Sequence, residues 1–331
     1  MQLKNSLKFY LLPIIFLSVS HTALADEYTQ LFKDKKYAEI EKLANSKLAV
    51  EPNHPSALNA KVNLIINQDV ESKIEDGIKL AERCIAANPK SSICHEAQGN
   101  ILGTKALKGS MFSAATIAGK IRDSFKTAVN LDPKNISARS SLMQFYLQAP
   151  SFMGGGADKA QELIVDTIKV MPTVGALLQA RLDMQQDNIT RAESGALAVN
   201  LNANEDDDTV NLQKNLLMGI GQTHVKAKKY TQAQKIFVEI GKRFPTYYGG
   251  MYGLGRSFQE QGNYNEAITH FEKSLTIEAT AYTHYRIAQA LQNLKENTKA
   301  VTAYEKALSF APSLNKKEKS DALEQIKKLK S

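Results

Sequence analysis

The run Met251-Tyr-Gly-Leu254-Gly255-Arg-Ser-Phe258, followed by Gly262-Asn-Tyr264-Asn-Glu-Ala267-Ile-Thr-His-Phe271-Glu-Lys-Ser274, decides the fold. Its landmarks return in the next stretch of chain. Ala267 to Ala300, Phe271 to Tyr304 and Ser274 to Ala307 are each intervals of 33 residues. One unit earlier, Gly221 to Gly255, Tyr230 to Tyr264 and Ala233 to Ala267 are each intervals of 34 residues. Recurrence of residue type and spacing together, at a period of this size, is the signature of a stacked array of small supersecondary units. The residue types say what each unit is. Gly255 and Ala288 on a first helix, and Ala233, Ala267 and Ala300 on a second, let paired helices approach closely. Phe237, Phe271 and Tyr304 fill the groove between neighbouring hairpins. Gly262 suits a turn that needs positive φ. Pro245 and Pro312 follow helix ends, where a missing N–H donor is tolerated.

The N-terminal half repeats more loosely. Tyr37 to Glu51 reads as a second helix closed by Pro52, and Ile74 to Ala87 as another closed by Pro89. Asp123 to Leu131 ends at Pro133, and Ala157 to Val170 ends before Pro172. These prolines are 37, 44 and 39 residues apart, so loops or helix extensions are inserted. Residues 173–203 hold one degenerate unit with Leu177, Leu178 and Leu182 on its first helix. About eight units result. Residues 316–330, KKEKSDALEQIKKLK, read as a polar capping helix, which an array needs because its last apolar face has no neighbour.

This pattern resembles the tetratricopeptide repeat (TPR) family, and an exported bacterial subtype of it with a Pro-x-x-x-Gly-Gly turn. The likeness is strong over 207–313 and looser over 28–172. It implies an all-α fold, a right-handed superhelical array of antiparallel helix hairpins. Two features depart from it. LGTKALKGSMF, from Leu102 through Phe112, is an insertion between the helices of the third unit. In the fourth, Pro150 stops one helix and Gly154, Gly155 and Gly156 precede the next. That one loop is also similar to the helical-repeat component associated with some periplasmic solute transporters.

The domain reading is a signal peptide over 1–25, degenerate repeats over 26–206, three well-matched units over 207–313, and a capping helix and tail over 314–331. Residues 1–25 show the layout of a secretory signal: Lys4 and Lys8, an apolar run from Phe9 to Val19, then Ala23-Leu24-Ala25. The apolar run is too short for a membrane span of roughly 20 residues, and no later stretch is apolar enough for one. A periplasmic or otherwise secreted location follows as an expectation. The chain has 42 Lys plus Arg against 34 Asp plus Glu, a formal +8, and +6 without Lys4 and Lys8. This mixed charge argues for solubility and attraction to acidic surfaces, and nucleic acid is not expected as a partner. The two cysteines, Cys84 and Cys94, stand at a helix end and early in the next helix. Antiparallel neighbours with a short link bring such sites face to face, so a disulfide between them is expected.

Nothing in the chain points to catalysis. The triple glycine lacks the Gly-Lys-Ser/Thr ending of a phosphate loop and has no preceding strand. It reads as a special turn, with anion binding by its N–H groups the lesser alternative. His54, His95, His224, His270 and His284 are scattered through different hairpins, without metal-ligand spacing. His224 reads as packed. Glu205-Asp206-Asp207-Asp208 lacks the alternation of a calcium loop and reads as a linker that caps the following helix. No cofactor or metal is expected.

What remains is a binding surface. First helices line the concave face of such arrays. The register places Asn215, Met218, Gln222 and Lys226 there, then Tyr252, Arg256 and Gln259, then Tyr282, Tyr285, Gln289, Gln292 and Asn293. Ser140, Gln144 and Gln148 are earlier candidates. Amides, tyrosines and bases suit peptide backbone and carboxylates. The expected function is a non-catalytic scaffold for a protein or peptide partner. The alternative is a small-ligand-binding accessory of a solute transporter.

Overall fold

Hairpin turns set the architecture. In a computed structural model that describes residues 27–202, 205–310 and 314–330, Lys35, Asp69, Asp187, Lys228, Gly262 and Lys295 all have positive φ, between 54° and 81°. Each ends a first helix and reverses the chain into a second. Only one of the six is glycine, although the left-handed region costs an ordinary L-residue roughly 1–2 kcal/mol. The expected signal peptide lies outside the described residues.

Among the described residues the structure is seventeen α-helices and two short 3-10 turns. It divides into two compact units, the first running to Leu163 and the second starting at Ile164. In the first unit α1 (Glu27–Lys33) pairs with α2 (Tyr37–Val50), α3 (Pro55–Asn67) with α4 (Ile74–Ala87), and α5 (Ser92–Lys108) with α6 (Met111–Leu131). Then α7 (Ile136–Gln148) packs on α6, and α8 (Ala157–Val170) carries the division between the units. In the second unit α9 (Pro172–Gln185) pairs with α10 (Ile189–Ala198), α11 (Asp207–Lys226) with α12 (Tyr230–Arg243), α13 (Gly249–Glu260) with α14 (Tyr264–Ile277), and α15 (Ala281–Asn293) with α16 (Asn297–Leu308). The last helix, α17 (Lys316–Lys330), packs on α16. The chain is an all-α, repeating helix-hairpin solenoid.

Helix starts follow from local chemistry. Asn135, Asp206 and Thr280 accept from the backbone N–H three residues on, at 2.7, 2.8 and 3.1 Å, which satisfies one orphan donor each. Asp206 thus caps α11, as the acidic run suggested. Pro55 and Pro172 occupy first-turn positions, where no N–H is needed.

Packing uses the small-against-aromatic pattern. A Cβ on Gly255 would lie 2.5 Å from Phe271, and one on Gly221 or Gly253 would lie 2.5 or 2.2 Å from Phe237. Phe237 therefore wedges between α11 and α13, locking two hairpins together. Phe237 and Phe271 are fully buried, and removing such a ring costs about 3–5 kcal/mol.

Two irregular regions resolve. Residues 102–112 add little loop: α5 and α6 lengthen to 17 and 21 residues, broken only at Gly109 and Ser110. In the fourth unit Pro150 begins a 3-10 turn, and Gly154 and Gly156 take φ of 89° and 127°. A Cβ on Gly155 would meet the Ala149 carbonyl oxygen at 1.9 Å. The N–H groups of Gly154, Gly155 and Gly156 donate to Ser151, Pro150 and Tyr146 carbonyls. They close the turn and cap α7, leaving no N–H of the three for an anion.

Cys84, in the last turn of α4, is bonded to Cys94, in the first turn of α5, with Cα atoms 5.3 Å apart. Both residues are buried and pack with Leu58, so the bond ties the second hairpin to the third.

Candidate functional site

The site is built from α11, α13 and α15 of the second unit, which pack side by side. Each is a first helix, and its partner helix covers the opposite side through the small-residue face. The long polar side chains are left on the remaining surface.

On α13, Tyr252, Arg256 and Gln259 are all half-buried. Arg256 has one ion pair, to Glu260 at 3.9 Å, and its Nε is buried without an acceptor. Burial, and then the neighbouring Arg286 guanidinium, pull its pKa below the ordinary arginine value. Gln259 donates to the Arg286 carbonyl at 3.2 Å, while its Oε1 is buried without a donor. One donor and one acceptor on adjacent turns of α13 thus lack partners. Leaving a buried polar atom unpaired costs about 1–3 kcal/mol.

On α15, Tyr282, Gln289 and Gln292 are half-buried, and Asn293 is exposed. The Tyr282 hydroxyl accepts from Asn315 N–H at 3.2 Å. Tyr285 differs from its sequence placement on the open surface: it is only 6% exposed and donates to Asp321 of α17 at 2.6 Å. Gln292 accepts from the Tyr304 hydroxyl at 2.8 Å and donates to Gln325 at 2.9 Å. The capping helix therefore engages both residues. On α11, Asn215 and Lys226 are exposed and Gln222 is half-buried, whereas Met218 is 9% exposed and packs inward. In the first unit, Ser140 and Gln144 are half-buried and Gln148 is exposed.

Residues outside the sequence-derived set lie beside α13. Tyr247 and Tyr248 precede α13 and extend it as an aromatic chain. Ring centroids are 5.4 Å apart from Tyr247 to Tyr248 and 6.2 Å from Tyr248 to Tyr252. Burial pushes the Tyr247 hydroxyl up to about 12, and that of Tyr248 up as well. Lys214 of α11 lies 5.3 Å from the Tyr247 ring centroid, a cation–π distance. The stretch Thr246-Tyr247-Tyr248 was the available signal, but it falls before the helix and outside the helical periodicity.

His224 is buried and paired through Nε2 with Glu193 at 2.7 Å, a packed histidine as its register implied. Among the described residues no group of three His, Cys, Asp or Glu is placed to hold a metal ion, and no helix is long and apolar enough to cross a membrane.

Residues 248–280 and 281–314 match the family model for the tetratricopeptide repeat. No curated protein matches the sequence. By fold the chain is similar to yeast Tom70, with a TM-score of 0.61 at 12% identity, covering 92% of this chain and 61% of that one. It is similar to human IFIT1 in a structure with m7Gppp-AAAA, with a TM-score of 0.50 at 14% identity, covering 91% of this chain and 70% of that one. A tetratricopeptide repeat protein from Parabacteroides merdae gives 17% identity and a TM-score of 0.46, over 90% of this chain and all of that one. The chain spans 55% of the chain it matches in the APC/C Cut9–Hcn1 tetramer. At these identities the likeness is one of fold.

Two expectations are corrected. The sequence reading excluded nucleic acid, yet the IFIT1 structure holds m7Gppp-AAAA on the same fold, so a helix-hairpin solenoid does not exclude such a partner. The periplasmic or secreted location does not stand either, because the matched structures, yeast Tom70 and human IFIT1 among them, are those of intracellular proteins. Nor do these matches support the narrower exported bacterial subtype or a transporter component. The matched repeats and the shared fold support a tetratricopeptide-repeat helix solenoid.

Proposed function

We propose that the chain is a non-catalytic scaffold that holds an extended segment of a partner protein against the inner wall of its second unit. The observation that carries this reading is the set of half-buried polar and aromatic side chains on neighbouring first helices, Tyr252, Arg256 and Gln259 on α13 with Tyr282 and Gln289 on α15. Guanidinium and amide side chains supply donors and acceptors that suit the N–H and C=O groups of an extended backbone. The tyrosines supply flat contact area at little cost in side-chain entropy. Repeat arrays present such walls without rearrangement, because each hairpin is fixed by its neighbours.

The test is selection of binding peptides from a random library on the full chain, followed by measurement of their affinities. Tyr252→Ala with Arg256→Ala should weaken the selected peptides at least tenfold while circular dichroism stays unchanged. Undiminished affinity in the folded double variant would place the binding surface elsewhere.

A further inference from the structure

The first unit holds a groove of its own. It encloses about 500 Å³ and is lined by His95 and Gln98 of α5 and by Gly119, Lys120, Asp123 and Ser124 of α6. That volume falls within the roughly 300–1,000 Å³ of small-molecule sites. The groove is open at Gly119, where an added Cβ would meet no atom within 4 Å. Glycine inside a helix costs stability relative to alanine. Gly99 of α5 has a reason in packing, because the Phe125 ring lies 2.4 Å from where its Cβ would stand. Gly119 has no such neighbour, and its effect is to keep the groove clear.

Two features point to a ligand. The first is a buried donor. Gln98 is only 9% exposed, and its Oε1 accepts from Ser124 Oγ at 2.9 Å, which fixes the amide. Its Nε2 is left without an acceptor among the described residues, in a side chain that lines the groove. One turn away on α5, His95 Nε2 lies 2.9 Å from the Pro89 carbonyl oxygen. That nitrogen carries the ring proton and donates it, which leaves Nδ1 as an acceptor. The second feature is charge. Lys120 and Asp123 stand three residues apart on α6, where opposite charges can pair. They turn apart instead. Lys120 reaches Glu82 of α4 at 2.9 Å, and Asp123 accepts from Arg122 Nε at 2.8 Å. The rim thus holds a positive and a negative group whose Cβ atoms are about 5–6 Å apart, with the groove open between them.

We propose that this groove binds a small zwitterionic peptide, a dipeptide in extended form. Its carboxylate meets Lys120 and its ammonium meets Asp123. Its carbonyl accepts from Gln98 Nε2, and its N–H donates to His95 Nδ1. Two residues of extended chain span about 7 Å, close to the spacing of the two rim charges. A free amino acid carries both charges on one carbon and cannot reach both groups. Lys120 with Glu82, and Arg122 with Asp123, balance in charge, so the rim favours a ligand without net charge. The site is made by α5 and α6 alone and does not rest on the surface of α13 and α15.

Equilibrium dialysis of radiolabelled alanyl-alanine against the full chain tests this. The competitors are unlabelled alanyl-alanine, alanine, and N-acetyl-alanine methylamide, which keeps the peptide groups without the end charges. Alanyl-alanine should occupy one site per chain and compete at least tenfold better than the other two. Gly119→Leu should abolish binding with an unchanged helical signal, since the new side chain enters open space. Gln98→Leu removes the buried donor at similar volume and should weaken binding at least tenfold. If either variant loses its helical signal, Lys120→Gln, at an exposed position, should still weaken binding severalfold. No binding of alanyl-alanine at millimolar concentration overturns the proposal. So does binding that the folded variants leave intact, or equal competition by the capped compound. None of these outcomes touches the reading of α13 and α15, whose test uses other residues.

Discussion

Gln259 on α13 donates through Nε2 to the backbone carbonyl of Arg286 on α15, at 3.2 Å. The bond crosses from one hairpin to the next and fixes the amide so that Oε1 turns into the wall, buried without a donor. The same contact that stacks two repeats thus leaves an acceptor unmet inside the fold. Gln259 thus stacks two repeats on the face proposed to hold the partner.

Lys228 and Lys295 hold φ of 58° and 62°, where an L-residue is disfavoured. Lys295→Gly should raise stability by about 0.5–1 kcal/mol, the relief of left-handed strain less the added freedom of glycine in the unfolded chain. The reverse holds at Gly155, where a Cβ would meet the Ala149 carbonyl oxygen at 1.9 Å. Gly155→Ala should lower stability by more than about 2 kcal/mol. Urea melts of the two variants check both signs, and a destabilised Lys295→Gly would show that the turn lysine makes contacts worth more than its strain.

The disulfide joins residues ten positions apart in sequence. Closing so short a loop removes about 2–3 kcal/mol of unfolded-state entropy. Cys84→Ala with Cys94→Ala should lower the unfolding free energy by about that amount, plus a small packing loss, since both positions are fully buried. Hydrogen exchange should rise first in α4 and α5. An unchanged denaturation midpoint would mean that packing around Leu58 alone sets this joint.

Tyr285 donates to Asp321 at 2.6 Å, from α15 to α17. Hydrogen bonds to a charged acceptor contribute about 1.5–3 kcal/mol. Tyr285→Phe should keep the ring packed against Tyr304, where the centroids are 5.8 Å apart, and lose only the hydroxyl. Exchange protection over residues 316–330 should fall by about tenfold, with protection in α11 and α12 unaffected. Uniform loss across the second unit would show instead that the capping helix is bound up with the whole array.

The repeat was legible because small and aromatic residues recur at fixed spacing. Gly221, Gly255, Phe237 and Phe271 behave as their spacing implied, since helix contact distances dictate those side chains. The turn register was seen at Gly262 alone. Lys35, Asp69, Asp187, Lys228 and Lys295 adopt the same conformation without the residue type that advertises it, and stacking on either side over-determines the turn. The wall was legible in part. Helical register puts Tyr285 on the open side, but α17 supplies Asp321 and covers it, a tertiary effect that no periodicity encodes.

Site-specific photocrosslinking tests the central claim most directly. A photoreactive phenylalanine analogue placed at Tyr252, on the proposed binding face, is compared with the same analogue at Val238, an exposed position on the second helix α12. The full chain is irradiated with a peptide selected for binding to it. The account predicts adducts from position 252 and none from position 238. Adducts from 238 alone, or equal yields from both positions, would contradict it.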